Sequence, residues 1–102
     1  MSDGNVIILA NLTAKAGREA ELEALLRGMC APSRAEEGCI TYNLYKRAEG
    51  GSSFRLFECW RSAAALDAHR QTPHSKNFRA RVADLADGPF SPLFLKRVDA
   101  VS

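Results

Sequence analysis

Hydrophobic side chains change their period along this chain, from about two residues to about 3.6 and back again. Residues 6–13 form an apolar, β-branched run that is typical of a largely buried strand. An apolar stripe at the spacing i, i+3, i+4, i+7 follows and predicts a helix. The members of this stripe are Leu22, Leu25, Leu26 and Met29. Pro32 is expected to end this helix or to bend it.

Two strands joined by a flexible turn come next in the sequence. Residues 39–46 alternate in polarity, so that Ile40, Tyr42 and Leu44 are expected on one face of a strand. Residues 54–61 alternate in the same way. The side chains on one face of this strand are Phe54, Leu56, Glu58 and Trp60. The connection between the two strands is rich in glycine and serine, which favours a hairpin.

A second helical region begins at Ser62, which can cap a helix that carries Leu66 and His69. Pro73 interrupts this helix, and a second helical stripe follows it. The members of the second stripe are Phe78, Val82, Leu85 and Ala86. Residues 90–98 predict a final strand at an edge of the sheet.

The order of these elements is β-α-β-β-α-β, which is the ferredoxin-like arrangement of an α+β domain. A chain of 102 residues forms one domain, spanning residues 1–102, with helices on one face of an antiparallel sheet. The first and third strands carry apolar residues on both sides, so the opposite face of the sheet also needs a cover. A second copy of the chain is the simplest cover, and we therefore predict a homodimer.

The charge and cysteine content exclude several classes of protein. The net charge of +2 comes from 14 basic and 12 acidic residues scattered along the chain, which predicts no nucleic-acid partner. The apolar stretch at residues 6–10 is too short to span a bilayer and lacks a basic flank, so neither a membrane partner nor a signal peptide is expected. Cys30, Cys39 and Cys59 form no C-x-x-C pair, which favours reduced, buried thiols in a cytoplasmic protein.

His69 is the first candidate for a catalytic residue. It lies three residues after Leu66 on the same helical face, so both side chains are expected to point inward and to line a substrate pocket. Imidazole is the side chain that exchanges protons near neutral pH, so His69 can remove or return a proton. The alternative is a core histidine whose ring is satisfied by a backbone carbonyl.

Trp60 and Glu58 are the next candidates, because both lie on the same face of the third strand. The indole of Trp60 could stack on a flat aromatic substrate while its N–H orients a substrate oxygen. Glu58 is a carboxylate among apolar neighbours, so it must find a partner or raise its pKa. The alternatives are a core tryptophan and a glutamate paired with an arginine or a backbone amide at the dimer interface.

Tyr42, His74 and Phe78 complete the candidate site. Tyr42 offers a phenol to a bound oxygen, unless it serves only the core or the interface. His74 lies one helical turn before Phe78, so both could face the substrate, although a hydrogen-bonding role at the helix start is an alternative for His74. We predict no metal site, because proline breaks the five-residue separation of His69 and His74 and no nearby cysteine or aspartate completes a tetrahedral set.

Four short segments and the opening strand together resemble the antibiotic biosynthesis monooxygenase family, including its quinol-monooxygenase-like members. The segments are residues 37–42 (EGCITY), 57–62 (FECWRS), 65–69 (ALDAH), 72–74 (TPH) and 10–17 (ANLTAKAG). The family commonly has proline where this chain has Ala16. The resemblance implies a dimeric α/β barrel, a small pocket between the sheet and the helices, and often no cofactor.

Three functions follow as hypotheses. The first is a cofactor-independent monooxygenase that oxidises a small phenolic or quinol-type aromatic with dioxygen, since no flavin, nicotinamide or phosphate fingerprint is present. Residues 72–74 and 88–89 also resemble the branch of the family that isomerises a small phosphorylated carbonyl signal compound. The third is a dimer that binds a ligand without catalysis.

Overall fold

A computed structural model describes residues 4–101 as a four-stranded sheet packed against three helices. The elements in chain order are β1 (Val6–Thr13), α1 (Glu19–Arg34), β2 (Cys39–Lys46), β3 (Ser53–Trp60), α2 (Ala63–Arg70), α3 (Pro73–Leu85) and β4 (Leu93–Leu95). The order β-α-β-β-α-α-β confirms the predicted ferredoxin-like α+β fold, with the second helical region divided into two helices.

All pairings in the sheet are antiparallel, and the strand order is β2-β3-β1-β4. The two central strands are β1 and β3, which pair along their full lengths from Val6 opposite Trp60 to Thr13 opposite Ser53. The helix-facing sides of these strands carry the core, where Ala10 and Leu56 are almost fully buried. The predicted helical stripe of α1 is buried against the same core, which confirms its orientation.

Pro32 neither ends nor shortens α1 at its own position, because the helix continues to Arg34. The predicted break at Pro73 is confirmed, since α2 ends at Arg70 and α3 begins at Pro73. A side chain caps the first turn of each of these two helices. Ser62 Oγ accepts a hydrogen bond from the backbone N–H of Ala65 at the start of α2 (3.1 Å). Thr72 Oγ1 lies 3.2 Å from the backbone nitrogen of Ser75, from which it accepts, at the start of α3. Proline at the first position of α3 removes no helical hydrogen bond, because the N–H it lacks would have had no partner.

The prediction that Ile40 shares a face with Tyr42 is wrong. The register of β2 shifts between Cys39 and Thr41, so Ile40 is the additional residue of a β-bulge. As a result 49% of Ile40 remains exposed, whereas Tyr42 is buried on the helix side of the sheet. The bulge adds one residue to the strand, and simple alternation cannot detect such an insertion.

The last strand is shorter than the predicted strand over residues 90–98. β4 contains only three residues, and it pairs with β1 from Ile7 to Leu9. Pro92 directly before it has no N–H to donate to the sheet. The preceding helix α3 ends at Leu85, so Ala86, predicted in the helical stripe, is instead extended and bridged to Ala14. The chain therefore reaches the edge of the sheet late and leaves it again at once.

One face of the sheet carries no helix in the described part of the chain. This face includes Ile7, Phe57 and Cys59, and the residues after β4 run beside it. Ile40 and Leu95 at its border are each more than two-fifths exposed. Exposed apolar side chains therefore border the helix-free face.

The helices between residues 4 and 101 are each too short or too polar to cross a lipid bilayer.

Gly38 provides a test of how tightly α2 packs against the chain that leads into β2. A Cβ atom at Gly38 would overlap the Cβ of Ala65, so Gly38→Ala is expected to lower the free energy of unfolding by about 1–3 kcal/mol. Urea denaturation measures this change. Gly28→Ala in α1 is the matched control, because nothing lies within 4 Å of its new Cβ, and a gain of about 0.5–1 kcal/mol is expected.

The close approach itself is tested by adding Ala65→Gly to the Gly38→Ala chain, which should recover part of the loss. Equal urea midpoints for Gly38→Ala and the unmodified protein would show that the two segments are not in tight contact.

Candidate active site

A cavity of about 70 Å³ lies between the helix side of the sheet and the pair α2 and α3. Its apolar wall includes Leu66 and Phe78, as the sequence predicts for a substrate pocket. Phe90 and Pro92, from the irregular segment before β4, complete that wall. The polar side chains that line the cavity are Tyr42, Glu58, His69, Arg70, Ser75 and Arg79. The cavity is therefore small, and its lining combines an apolar wall with polar side chains from the sheet and from α2 and α3.

His69 points inward, with only 5% of its surface exposed. Its partner is not a backbone carbonyl but the carboxylate of Glu36, whose Oε2 lies 2.8 Å from His69 Nδ1. Since a carboxylate oxygen accepts, the neutral ring carries its proton on Nδ1 and leaves the lone pair of Nε2 available. No other hydrogen bond to the ring is formed by the residues from 4 to 101. This arrangement suits a general base.

Glu36 also binds His74, and both imidazoles meet at the same carboxylate oxygen. The Nε2 atom of His74 lies 2.7 Å from Glu36 Oε2. The three side chains come from three segments. Glu36 precedes β2, His69 lies in the last turn of α2, and His74 lies in the first turn of α3. His74 is thereby held behind His69 and does not line the cavity, so its predicted contact with substrate is not supported by this geometry.

Trp60 lies against the other side of His69. Its ring centroid is 4.3 Å from that of His69, with the two planes inclined by 36°. Trp60 has no exposed surface, and its Nε1–H donates to Glu58 Oε1 at 2.9 Å. The predicted roles of this indole, stacking on a substrate and orienting its oxygen, stay predictions that this geometry does not support. Trp60 instead forms a rigid wall that fixes the plane of the imidazole.

Glu58 is a buried carboxylate that lines the cavity. Burial raises its pKa above the ordinary value, while the hydrogen bond from Trp60 and the nearby His69 partly offset the rise. Within residues 4–101 its hydrogen bond comes from an indole, and a partner across a dimer interface stays a prediction. A carboxyl group with a raised pKa can hold a proton and deliver it inside a dry cavity.

Tyr42 presents its ring to the same cavity from β2. Burial, followed by the negative charge of Glu58, raises the pKa of its hydroxyl, and the nearby Ser33 hydroxyl only partly offsets this effect. Ser33 Oγ is itself fully buried and makes no hydrogen bond of acceptable geometry with the described residues. Tyr42 therefore stays protonated and remains a hydrogen-bond donor across the whole neutral range.

Sequence reasoning did not select four polar residues of this site: Glu36, Arg70, Ser75 and Arg79. Nothing in the sequence separates Glu36 from its neighbour Glu37, because both precede a glycine turn. Arg79 donates to Ser75 Oγ and to the backbone carbonyl of Arg70, at 2.8 Å in each case. The i, i+4 spacing of Ser75 and Arg79 could have indicated this pair, which brings positive charge to one end of the cavity.

The cysteines play no part in the site. All three are free thiols, which agrees with the expectation of reduced cysteines. Burial and the negative charges of Glu36 and Glu58 raise the pKa of Cys39 to about 11, so this thiol stays protonated and unreactive at neutral pH.

The raised pKa of Glu58 has a measurable effect on stability. The folded protein holds this proton to a higher pH than the unfolded chain does, so the free energy of unfolding falls as pH rises between the two pKa values. Glu58→Gln, which still accepts from Trp60, should remove this decline and be more stable than the unmodified protein above that window.

Thermal unfolding between acidic and neutral pH measures the effect of Glu58→Gln. Glu37→Gln is the control, because Glu37 is exposed and its replacement should leave the pH profile unchanged. Parallel profiles for Glu58→Gln and the unmodified protein would contradict the assignment.

Comparison with known proteins places this geometry in a family. A sequence model of the antibiotic biosynthesis monooxygenase family matches residues 5–81. Rv0793 of Mycobacterium tuberculosis, provisionally named as a monooxygenase, is 41% identical over 97 residues, which are 95% of each chain. A solved structure of Rv0793 superimposes with a TM-score of 0.88 at 40% identity and covers 96% of this chain and 99% of that one.

A second solved structure agrees with this result. PA3566 of Pseudomonas aeruginosa superimposes with a TM-score of 0.87 at 33% identity, covering 94% of this chain and 96% of that one. In sequence, YcnE of Bacillus subtilis, also provisionally named as a monooxygenase, is 27% identical over 84 residues, which are 82% of this chain and 88% of YcnE. The chain therefore belongs to the antibiotic biosynthesis monooxygenase family.

Proposed function

We propose that this protein is a cofactor-independent monooxygenase that oxidises a small phenol or quinol with dioxygen. The observation that carries the proposal is the pairing of His69 Nδ1 with Glu36, which leaves Nε2 as the base of a side chain that lines a mostly apolar cavity. Family membership supports a monooxygenase reaction. The three cysteines are free thiols, which supports the cytoplasm as the proposed location.

The reaction begins with removal of the phenolic proton by His69. The resulting anion is a strong electron donor, and dioxygen can accept its electrons without a metal or a flavin. For a phenol with a free para position, the ring supplies all four electrons. A para C–O bond forms, the para C–H and O–O bonds break, and the products are a para-quinone and water.

The cavity supplies three further functions. Tyr42 can donate a hydrogen bond to the phenolate oxygen, because burial keeps its hydroxyl protonated. Glu58 can return a proton to the departing oxygen, since its own pKa is raised by burial. The apolar wall excludes water, which strengthens each of these interactions.

The size of the cavity restricts the substrate. A volume of about 70 Å³ is well below the ~300–1,000 Å³ of pockets for drug-sized ligands. We therefore favour a substrate with one aromatic ring, admitted by displacement of the irregular segment that carries Phe90 and Pro92.

The protein's activity is tested by oxygen uptake on a panel of one-ring phenols and hydroquinones, with dihydroxynaphthalenes as larger members. His69→Gln is expected to lower turnover by ~100-fold or more, because it removes the general base. Glu36→Gln should lower kcat by about 10-fold with KM unchanged, because one charge-assisted hydrogen bond of ~1.5–3 kcal/mol holds the ring. Glu37→Gln is the matched control and should retain full activity.

Circular dichroism and melting temperature would show that each variant is folded. Turnover that persists without oxygen, or full oxygen uptake by folded His69→Gln, would rule out the proposed reaction.

A second candidate function is favoured by the two arginines at the cavity. Arg70 and Arg79 could pair with the phosphate of a small phosphorylated carbonyl compound, which His69 and Glu58 would isomerise by proton transfer. Turnover of a phosphorylated diketone with no oxygen consumed would favour this isomerase. Binding of either ligand with no turnover, unchanged in His69→Gln, would instead support a non-catalytic ligand-binding dimer.

We also propose that the protein is a homodimer joined through the helix-free face of the sheet. Phe57 lies on this face and is only partly buried within one chain. Phe57→Glu should therefore shift the mass measured by light scattering from twice 11.2 kDa to 11.2 kDa, since a charge would be desolvated in an apolar contact. Ala64→Glu, on the exposed side of α2, is the control and should remain dimeric.

A mass of 11.2 kDa for the unmodified protein at micromolar concentration would contradict the dimer.

A further inference from the structure

We propose that Glu36, His69 and His74 form a binding site for one divalent transition-metal ion, and that the bound ion blocks the base at His69. Each of the three side chains offers a ligand atom, and these atoms lie within 4.8 Å of one another. Two imidazole nitrogens and one carboxylate oxygen are a ligand set that suits zinc and its neighbours in the first transition row.

The distances are compatible with metal binding after a small movement. Glu36 Oε2 lies 2.7–2.8 Å from the two histidine nitrogens, which is hydrogen-bond geometry. Ligands at ~2.1 Å from a tetrahedral zinc ion are separated by about 3.4 Å, so the carboxylate must withdraw by roughly 0.6 Å. Glu36 can make this movement, because it lies in the turn before β2 and its side chain is 17% exposed.

The site is reachable from solvent. The side chain of His74 is 21% exposed and that of Glu36 is 17% exposed, and neither residue lines the cavity. Within residues 4–101, the Glu36 carboxylate bonds only to the two histidines, both through Oε2, so its Oε1 has no protein partner. Three protein ligands with open positions resemble the donor sets of reactive metal centres more than closed structural sites.

The sequence-based argument against a metal considered His69, His74 and nearby cysteine or aspartate side chains, but no glutamate. It was right that the two residues do not share one helix face, since they lie on α2 and α3. It did not foresee that the turn between α2 and α3, at residues 71–72, brings both rings to one carboxylate that lies 33 residues before His69.

Metal binding has a direct consequence for the tautomer of His69. In the apo protein the Nδ1 proton is donated to Glu36, and Nε2 carries the lone pair. A metal ion at Nδ1 needs the lone pair there, so the proton must move to Nε2. Nε2 then becomes a hydrogen-bond donor and can no longer remove a proton from a substrate. This second half of the inference rests on the proposed function.

The binding half is tested on the whole protein by calorimetric titration with zinc chloride after dialysis against a chelator. The unmodified protein and Glu37→Gln are expected to bind one ion per chain. Glu36→Gln and His74→Ala should bind at least ~10-fold more weakly, because even an outer-shell partner of a metal site is worth about 10–100-fold. Both variants keep His69, and circular dichroism would show that they are folded.

Cobalt(II) substitution identifies the ligands independently of activity. Ligand-field bands without thiolate charge transfer are expected, together with imidazole ¹⁵N resonances that show Nδ1 of His69 bound to metal. Wild-type affinity in Glu36→Gln or His74→Ala, or thiolate bands from a cysteine, would overturn the site.

The blocking half is tested by the oxygen-uptake assay with stoichiometric zinc. Activity should fall in the unmodified protein and return on chelation, while Glu36→Gln should keep its residual activity at the same zinc concentration. Full activity of the zinc-loaded protein would overturn the blocking of the base. If the zinc-free protein shows no activity but binds zinc at these residues, the result would count against the proposed function and not against the metal site.

Discussion

A single carboxylate oxygen connects the segments that form the candidate site. Glu36 Oε2 accepts from His69 and from His74, and so joins the turn before β2 to the end of α2 and the start of α3. These contacts are largely shielded from water, which makes each hydrogen bond stronger than it would be at the surface. The position of the imidazole beside the cavity is held by this hydrogen bond together with the packing of Trp60.

The site also contains a destabilising group that the fold retains. Glu58 is almost fully buried, and a hydrogen bond from one indole only partly compensates for the loss of water around it. Such a group costs stability when it is ionised, which is typical of side chains kept for chemistry. Trp60 links this carboxyl group to His69, because its N–H binds the first and its ring packs on the second.

Much of the fold could be predicted from local patterns. The strand over residues 39–46 and the buried stripe of α1 follow directly from periodicity, and the inward position of His69 follows from its spacing to Leu66. Two features depend on tertiary context and could not be predicted in this way. The bulge at Ile40 is an insertion that leaves no local mark in the sequence, and the length of β4 is set by how many of its residues pair with β1 at the sheet edge.

The candidate site was predicted in its parts but not in its connections. Periodicity places Tyr42, Glu58 and His69 near one another, since each lies on a core-facing side of its own element. It cannot distinguish Glu36 from Glu37, because the choice is made by the three-dimensional path of the chain before β2. The sequence analysis expected the indole N–H of Trp60 to bind a substrate oxygen. In the structure it donates to Glu58, two residues away on the same face of the strand.

The chain contains one tryptophan, and this residue lies against the imidazole at the centre of the site. Indole fluorescence is quenched by an adjacent imidazolium more than by a neutral ring, and it responds to changes in the polarity of its surroundings. Trp60 is fully buried, so bulk solvent contributes little to its emission. The protein thus carries an intrinsic optical reporter in which occupancy and protonation of the pocket can be followed in real time without any label.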